Sequence, residues 1–158
     1  MSHSTNGEIS FGILFPEGFE FPWESYGEEE WWLKTLGYKH PFELFNEEGN
    51  YINSLDKDNK EKISQYFAHE RDFKTKNPLP FELVNYCSAD CPMFILACPG
   101  SVKTACRGYP KEISLSSESS YYSEKEALLN FIQTYLKDID GFEDIDLTFK
   151  WYLSSYTD

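Results

Sequence analysis

Residues 81–98, FELVNYCSADCPMFILAC, constrain this chain more than any other stretch, because they admit few arrangements besides two strands joined by a tight turn. Over 81–88 the side chains alternate, Phe81, Leu83, Asn85 and Cys87 against Glu82, Val84, Tyr86 and Ser88, as on a strand with two unlike faces. The turn Ser88-Ala89-Asp90-Cys91-Pro92 leads into 93–98, MFILAC, which is apolar on both faces. A strand with two buried faces belongs in the middle of a sheet, covered by helices on one side or both. A turn this short has no room for a crossover helix, which argues for antiparallel pairing and against a doubly wound parallel sheet.

The other elements are read around this hairpin. Residues 9–15, ISFGILF, are rich in strand formers and are stopped by Pro16-Glu17-Gly18. Residues 28–36 form a short helix with three acids at its favourable positive end and Gly37 at its C-terminus. Trp32 and Leu36, four apart, put one tryptophan inward, and Trp31 then points to a different side. Residues 38–57 hold no sustained period and read as a long connecting loop anchored by aromatics. A second helix spans 59–75, opened by the capping-box-like Asp58-Asn59-Lys60-Glu61, spaced by Ile63, Tyr66, Phe67 and Phe73, and ended by Asn77-Pro78.

Pro99-Gly100 breaks the second hairpin strand, and 101–107 return as another strand. After the Ser-rich connector 114–123, Ser123-Glu124-Lys125-Glu126 fits a capping box, and Leu128, Leu129, Ile132, Tyr135, Leu136 and Ile139 form one apolar stripe up to Gly141. From Ile145 the chain alternates Ile145, Leu147, Phe149, Trp151 and Leu153 on one face, the pattern of a half-buried strand. The order strand, helix, helix, hairpin, strand, helix, strand predicts an α+β fold. We expect a single domain over 9–158, with a mainly antiparallel sheet of four to five strands and about three helices packed on it, preceded by a flexible tail at 1–8.

A core of this kind is affordable at 158 residues, and 41% hydrophobic with 18% aromatic content excludes a disordered chain. The net charge of −13 is uneven: residues 1–50 carry ten acids and two bases, residues 51–100 seven and six, residues 101–158 ten and six. That balance argues against direct binding to nucleic acid or to an anionic membrane surface, both of which need clustered Lys and Arg. It suits a basic protein partner, or simply solubility. No apolar run approaches the ~20 residues of a membrane helix, and the polar start lacks signal-peptide character. With four cysteines crowded into 87–106, these features favour cytosolic thiols over a disulfide framework and a cytoplasmic location.

Three groups are candidates for chemistry. Cys87, Cys91, Cys98 and Cys106 are spaced C-x3-C-x6-C-x7-C, unlike the close pairs of structural zinc, and no metal or cofactor is expected. If one thiol is reactive it is Cys106, flanked by Lys103 and Arg107. The run from Cys98 to Thr104 is a near miss both for a cysteine-phosphatase loop, with Thr104 where its arginine belongs, and for a P-loop, with Val102 in place of the glycine. A basic group, Lys103, Arg107 and Lys111 with Tyr109, is the candidate for a small anion such as a phosphorylated metabolite or cyclic nucleotide. The third group is acidic and aromatic: Trp23, Glu24, Glu28, Glu29, Glu30 and Trp31 lie in a stretch with three tryptophans and five acids in thirteen residues. Exposed tryptophan flanked by acids grips a basic partner by filling a pocket and pairing with Arg or Lys.

The pieces FGILFPEGFEFPWE, PFELFNEEGNYI, NPLPFELVNYCSADCPMFILACPG, CRGYP and WYLSSY together resemble a family of small bacteriophage and bacterial proteins with no assigned activity. The resemblance spans nearly the whole chain and brings no functional residue with it. It implies a context, that of small acidic phage proteins that inhibit a host or defence protein, acting in the host cytoplasm. The sequence leaves the oligomeric state open.

Overall fold

The computed structural model describes residues 5–25, 27–41, 57–88, 91–106, 109 and 111–157, with backbone alone at 5, 6, 57, 58, 87, 88, 91, 92, 156 and 157. The elements are β1 (Thr5–Phe15), α1 (Glu28–Thr35), α2 (Lys57–Lys76), β2 (Glu82–Ser88), β3 (Cys91–Ala97), β4 (Lys103–Ala105), α3 (Tyr122–Tyr135) and β5 (Lys150–Thr157). Short 3-10 turns at Glu118–Tyr121 and Phe142–Asp144 flank α3. The order is the one that the sequence predicts. So is the class: one small α+β domain with a five-stranded, mainly antiparallel sheet and three α-helices. Contacts group the chain into two units, residues 1–22 with 80–158, and residues 23–79.

In the first unit β1 is the organising strand. It pairs with β5 from Thr5 to Gly12 along one edge; along the other it pairs with β4 at Gly7–Ile9 and with β3 at Gly12–Phe15. β2 pairs antiparallel with β3 along its length and parallel with β5 at Cys87 and Ser88. The strands β1, β3, β2 and β5 therefore close into a ring. Closure accounts for the one parallel contact and removes the free edges an open hairpin would expose.

Alternation gives the ring an inside and an outside. Inside, Val84, Ile95 and Ala97 pack with Tyr86, Val102 and Tyr152. Outside, Phe11, Ile13 and Phe15 are fully buried. The Phe11 ring lies 5.7 Å from Tyr121, 5.7 Å from Phe149 and 5.1 Å from Trp151. α3 covers this face with Leu128, Phe131 and Ile132, Phe131 resting 5.0 Å from the Phe81 ring. Ile95, Leu96, Ala97 and Cys98 are all essentially inaccessible, so the two-faced burial expected of this run holds.

Gly12 sits where β1 and β3 approach most closely. A Cβ there would meet the Leu96 carbonyl oxygen head-on and stand 2.7 Å from Ala97 Cα. The β3–β4 link is tied to the same place: the Cys98 N–H donates to Phe11 O, and the buried Ser101 Oγ accepts from Phe11 N–H at 3.1 Å.

Four expectations change. The capping box expected at Ser123 does not form: α3 already begins at Tyr122, straight after the 3-10 turn, its N-cap Tyr121 makes no side-chain cap, and Ser123 Oγ donates to Glu124 instead. Residues 5–8, expected in a flexible tail, belong to β1, because backbone pairing to β4 and β5 holds polar residues as firmly as apolar ones. β4 keeps three residues of the expected 101–107. β5 begins at Lys150 instead of 145, and Leu153, expected inward, is 83% exposed. It pairs with Ile9, beyond the cover that Tyr121 and Phe149 give to Phe11 and Trp151.

The second unit contains α1 and α2. α1 starts at Gly27 without a side-chain cap, and Glu28, Glu29 and Glu30 occupy its positive end. It stops as the glycine predicts: Gly37 N–H donates to Lys34 O and Tyr38 N–H to Leu33 O, with Gly37 at φ 71°. This paired capping needs a left-handed residue after the helix and turns the chain sharply, which delivers Tyr38. Most of the expected loop at 38–57 lies outside the described residues.

Candidate functional site

α2 presents one side at helical spacing, Tyr66, His69, Glu70, Phe73 and Lys74, continued by Asn77 just past its end. Opposite it stand α1 and the segment that Gly37 turns back. Tyr38 lies 4.8 Å from the Phe73 ring, and Trp32 Nε1 donates to Asn77 O at 3.0 Å. Between them opens a cleft of about 580 Å³ lined by Gly27, the carboxylates of Glu28, Glu29, Glu30 and Glu70, and by Leu33, Lys34, Tyr38, His40 and Lys74. A smaller notch of about 170 Å³, walled by Trp32, Leu33, Pro78 and Leu79, shares Glu29 and Lys74 with it.

Four glutamates face two lysines, and both lysines are engaged. Lys74 Nζ lies 2.8 Å from Glu29 and 2.9 Å from Glu70, and Lys34 lies 2.9 Å from Glu30. The hydrogen bonds it donates to Glu29 and then Glu70 hold the Lys74 ammonium above its ordinary pKa, so it stays charged. Glu28 makes no ion pair among the described residues. The cleft keeps surplus negative charge beside apolar wall.

At one end of the cleft Tyr38 Oη lies 3.1 Å from His69 Nδ1 and 3.4 Å from His40 Nδ1. The His40 ring stacks on Tyr66 at 4.1 Å with the planes 6° apart. Burial first, and then the Glu70 carboxylate, push the Tyr38 phenol above its ordinary pKa.

The acidic-aromatic candidates divide. Glu28, Glu29 and Glu30 line the cleft, and Glu24 is exposed on the turn before α1. Trp23 is a correction: at 4% exposure it is buried, its ring 5.4 Å from Trp31, and it cannot reach a partner's pocket. Trp31 is half-buried between Trp23 and Trp32, with one side left to solvent. Aromatic rings that stack on each other keep each other from water, which flanking acids in a sequence do not reveal.

The basic candidates are not assembled into a concave site among the described residues. Lys103 Nζ donates to Gly100 O at 2.8 Å, Tyr109 is 78% exposed, Lys111 is exposed, and Arg107 lies outside the described residues. None of the clefts named here touches them; a further one, of about 500 Å³ in the first unit, is lined by Gly18, Glu20, Asp138, Ile139 and Asp140 and is acidic again.

Cys98 is a core residue. Pro99 and Gly100, the latter at φ 78°, form a turn closed by Ser101 N–H on Cys98 O. The near miss to a phosphate loop is thus a turn that seats Ser101 on β1. Burial pushes the Cys98 thiol up to about 11, the opposite of a nucleophile's need. Cys106 is an exposed free thiol; the side chains of Cys87 and Cys91 lie outside the described ones. Among the described residues no group of three His, Cys, Asp or Glu side chains converges, and no helix is long and apolar enough to cross a membrane.

Sequence reading missed Tyr38, His40, His69, Glu70 and Lys74. The two histidines stand 29 residues apart, and no local pattern joins them. The available signal was the α2 period: extended from Tyr66 to polar residues, it puts His69, Glu70, Phe73 and Lys74 on one face. Compared with protein families, curated proteins and solved structures, the chain matches none.

Proposed function

We propose that the protein is a non-enzymatic binding protein that engages a basic partner through the acidic cleft of residues 23–79. One observation carries the reading: the cleft is lined by four glutamates whose two lysine neighbours are already paired. A lysine or arginine side chain is the matching guest, since its aliphatic stem suits the Trp32, Leu33 and Leu79 notch and its head the carboxylates. A partner surface rich in such side chains is the kind that neutralises phosphates. Occupying it inhibits that partner, in keeping with the phage-type context the resemblance implies.

The test is capture from host lysate by the tagged protein, compared with the Glu28→Lys, Glu29→Lys, Glu30→Lys triple variant. Far-UV circular dichroism checks the fold, because cations at a helix N-terminus each cost about 0.3–1 kcal/mol. Loss of the captured partner supports the reading, as does weakening between 0.1 and about 1 M salt, where the screening length falls from ~10 to ~3 Å. Unchanged capture by the triple variant sinks it.

A further inference from the structure

Lys34, Lys76 and Lys150 each meet a carboxylate four residues away in the chain, the local pairing of a solvated surface. Lys74 has such a neighbour in Glu70, at 2.9 Å, yet it also crosses from α2 to α1 and meets Glu29 at 2.8 Å. Its ammonium thereby stands between two of the four carboxylates that line the cleft. The bridge is not sealed: the Lys74, Glu29 and Glu70 side chains are 38%, 65% and 22% exposed, so water and a partner's side chain reach them. Lys74 occupies the place that a partner's cation would take.

We propose, resting on the reading of the cleft as the docking site of a basic partner, that Lys74 is a built-in guest of the cleft and that the side chain which displaces it is arginine. The Lys74 contacts use one oxygen of each carboxylate, Oε2 of Glu29 and Oε1 of Glu70. A lysine brought by a partner would exchange one ammonium for another, and would compete against one that is already tethered in place. A guanidinium is a planar fork that takes both oxygens of one carboxylate in parallel hydrogen bonds and has further N–H groups for a second. It is also more weakly hydrated than an ammonium, so leaving water for the cleft costs it less. Arginine gains contacts on exchange where lysine gains none.

Deprotonation offers no other release. The hydrogen bonds donated to Glu29 and then Glu70 hold the Lys74 pKa above its ordinary value, so near neutral pH only a competing cation frees the two carboxylates. Once displaced, the ammonium returns to solvent on a flexible stem. Glu28, which makes no ion pair among the described residues, then adds its charge on the side facing the guest. The device sets a threshold: weakly basic surfaces leave the Lys74 bridge closed, and arginine-rich ones open it.

The experiment titrates the full chain with hexa-arginine and with hexa-lysine peptides by calorimetry, at about 0.15 M salt to screen distant charges. We expect wild type to bind hexa-arginine at least about tenfold more tightly than hexa-lysine. Lys74→Met should bind hexa-arginine about three- to tenfold more tightly than wild type, because two partly exposed ion pairs no longer compete. Lys74→Arg, which keeps the charge and the bridge, should bind it about threefold more weakly, since the internal guest is then itself a fork. Bulk charge is controlled by Lys76→Met, which removes a charge from the same helix outside the cleft, where Lys76 pairs with Asp72, and should stay within about twofold of wild type. Equal affinity for the two peptides overturns the choice of arginine. A Lys74→Arg variant that binds as well as wild type, or a Lys74→Met variant no tighter than Lys76→Met, overturns the displacement. Where circular dichroism shows Lys74→Met unfolded, Lys74→Arg decides alone, because it keeps both ion pairs. Wild type that binds neither peptide refutes the docking reading as well. Hexa-arginine binding that the Glu28→Lys, Glu29→Lys, Glu30→Lys variant abolishes and Lys74→Arg leaves unchanged refutes the displacement alone.

Discussion

Replacing Gly12 by alanine tests the ring directly. The added methyl would lie 2.7 Å from Ala97 Cα and nearer still to the Leu96 carbonyl oxygen, both backbone atoms of the paired strand. Neither can step aside: Phe11, Ile13, Leu96 and Ala97 are fully buried, and the Phe11 N–H and C=O are held by Ser101 and Cys98. The strands must separate by several tenths of an ångström in the densest part of the core. Overpacking of that kind costs about 1–3 kcal/mol, and a backbone-on-backbone clash belongs at or above the upper end. Alanine's advantage over glycine in a strand, about 0.5–1 kcal/mol, offsets only part of it. At roughly 2–4 °C per kcal/mol for a chain of this size, we expect Tm to fall by about 5–12 °C. Urea denaturation of Gly12→Ala should be run beside Gly7→Ala, a glycine of the same strand with nothing within 4 Å of its Cβ position. If Gly12→Ala is less than ~1 kcal/mol below Gly7→Ala, the close approach of β1 and β3 is wrong.

Other perturbations probe the remaining claims. Trp32→Phe deletes the indole donor to Asn77 O and should cost about 1 kcal/mol in denaturant unfolding, while the volume change is small. In the native protein Cys106 should react with a thiol reagent at pH 8 and Cys98 should not, until denaturant exposes it; fast native labelling of Cys98 contradicts its burial and raised pKa. Asp146, hydrogen-bonded by Lys150 Nζ and by Thr148, has its carboxyl lowered from 3.8 to about 2. A depressed folded-state value means that the contribution is present above 3.8 and is lost as pH falls through about 2, so the stability difference between wild type and Asp146→Asn should vanish across that window. A thermal-shift screen of nucleotides tests the basic group Lys103, Arg107 and Lys111 with Tyr109. We expect no shift, whereas a ligand at a hundred times its Kd would add about 2.7 kcal/mol.

The sequence by itself determined the element order and the two-faced burial of β3, but not that β1 is the strand the ring is organised on. Those depend on local physics: alternation over 81–88, two-faced apolarity over 93–98, the 3.6 period of α3, and Gly37 as a helix stop. It also set the net charge of −13. Only the tertiary structure decided the rest. Ring closure depends on β1 meeting β3 and β5 at once, and on β2 lying parallel to β5, pairings between residues up to about 150 apart in the chain that no local period encodes. Tryptophan burial was decided the same way, since whether Trp23 faces water depends on which rings lie over it. The cleft and the Tyr38–His69 contact depend on two helices facing each other. Polar side chains obey no hydrophobic period, so their meeting point is visible only once the backbone has put α1 and α2 side by side.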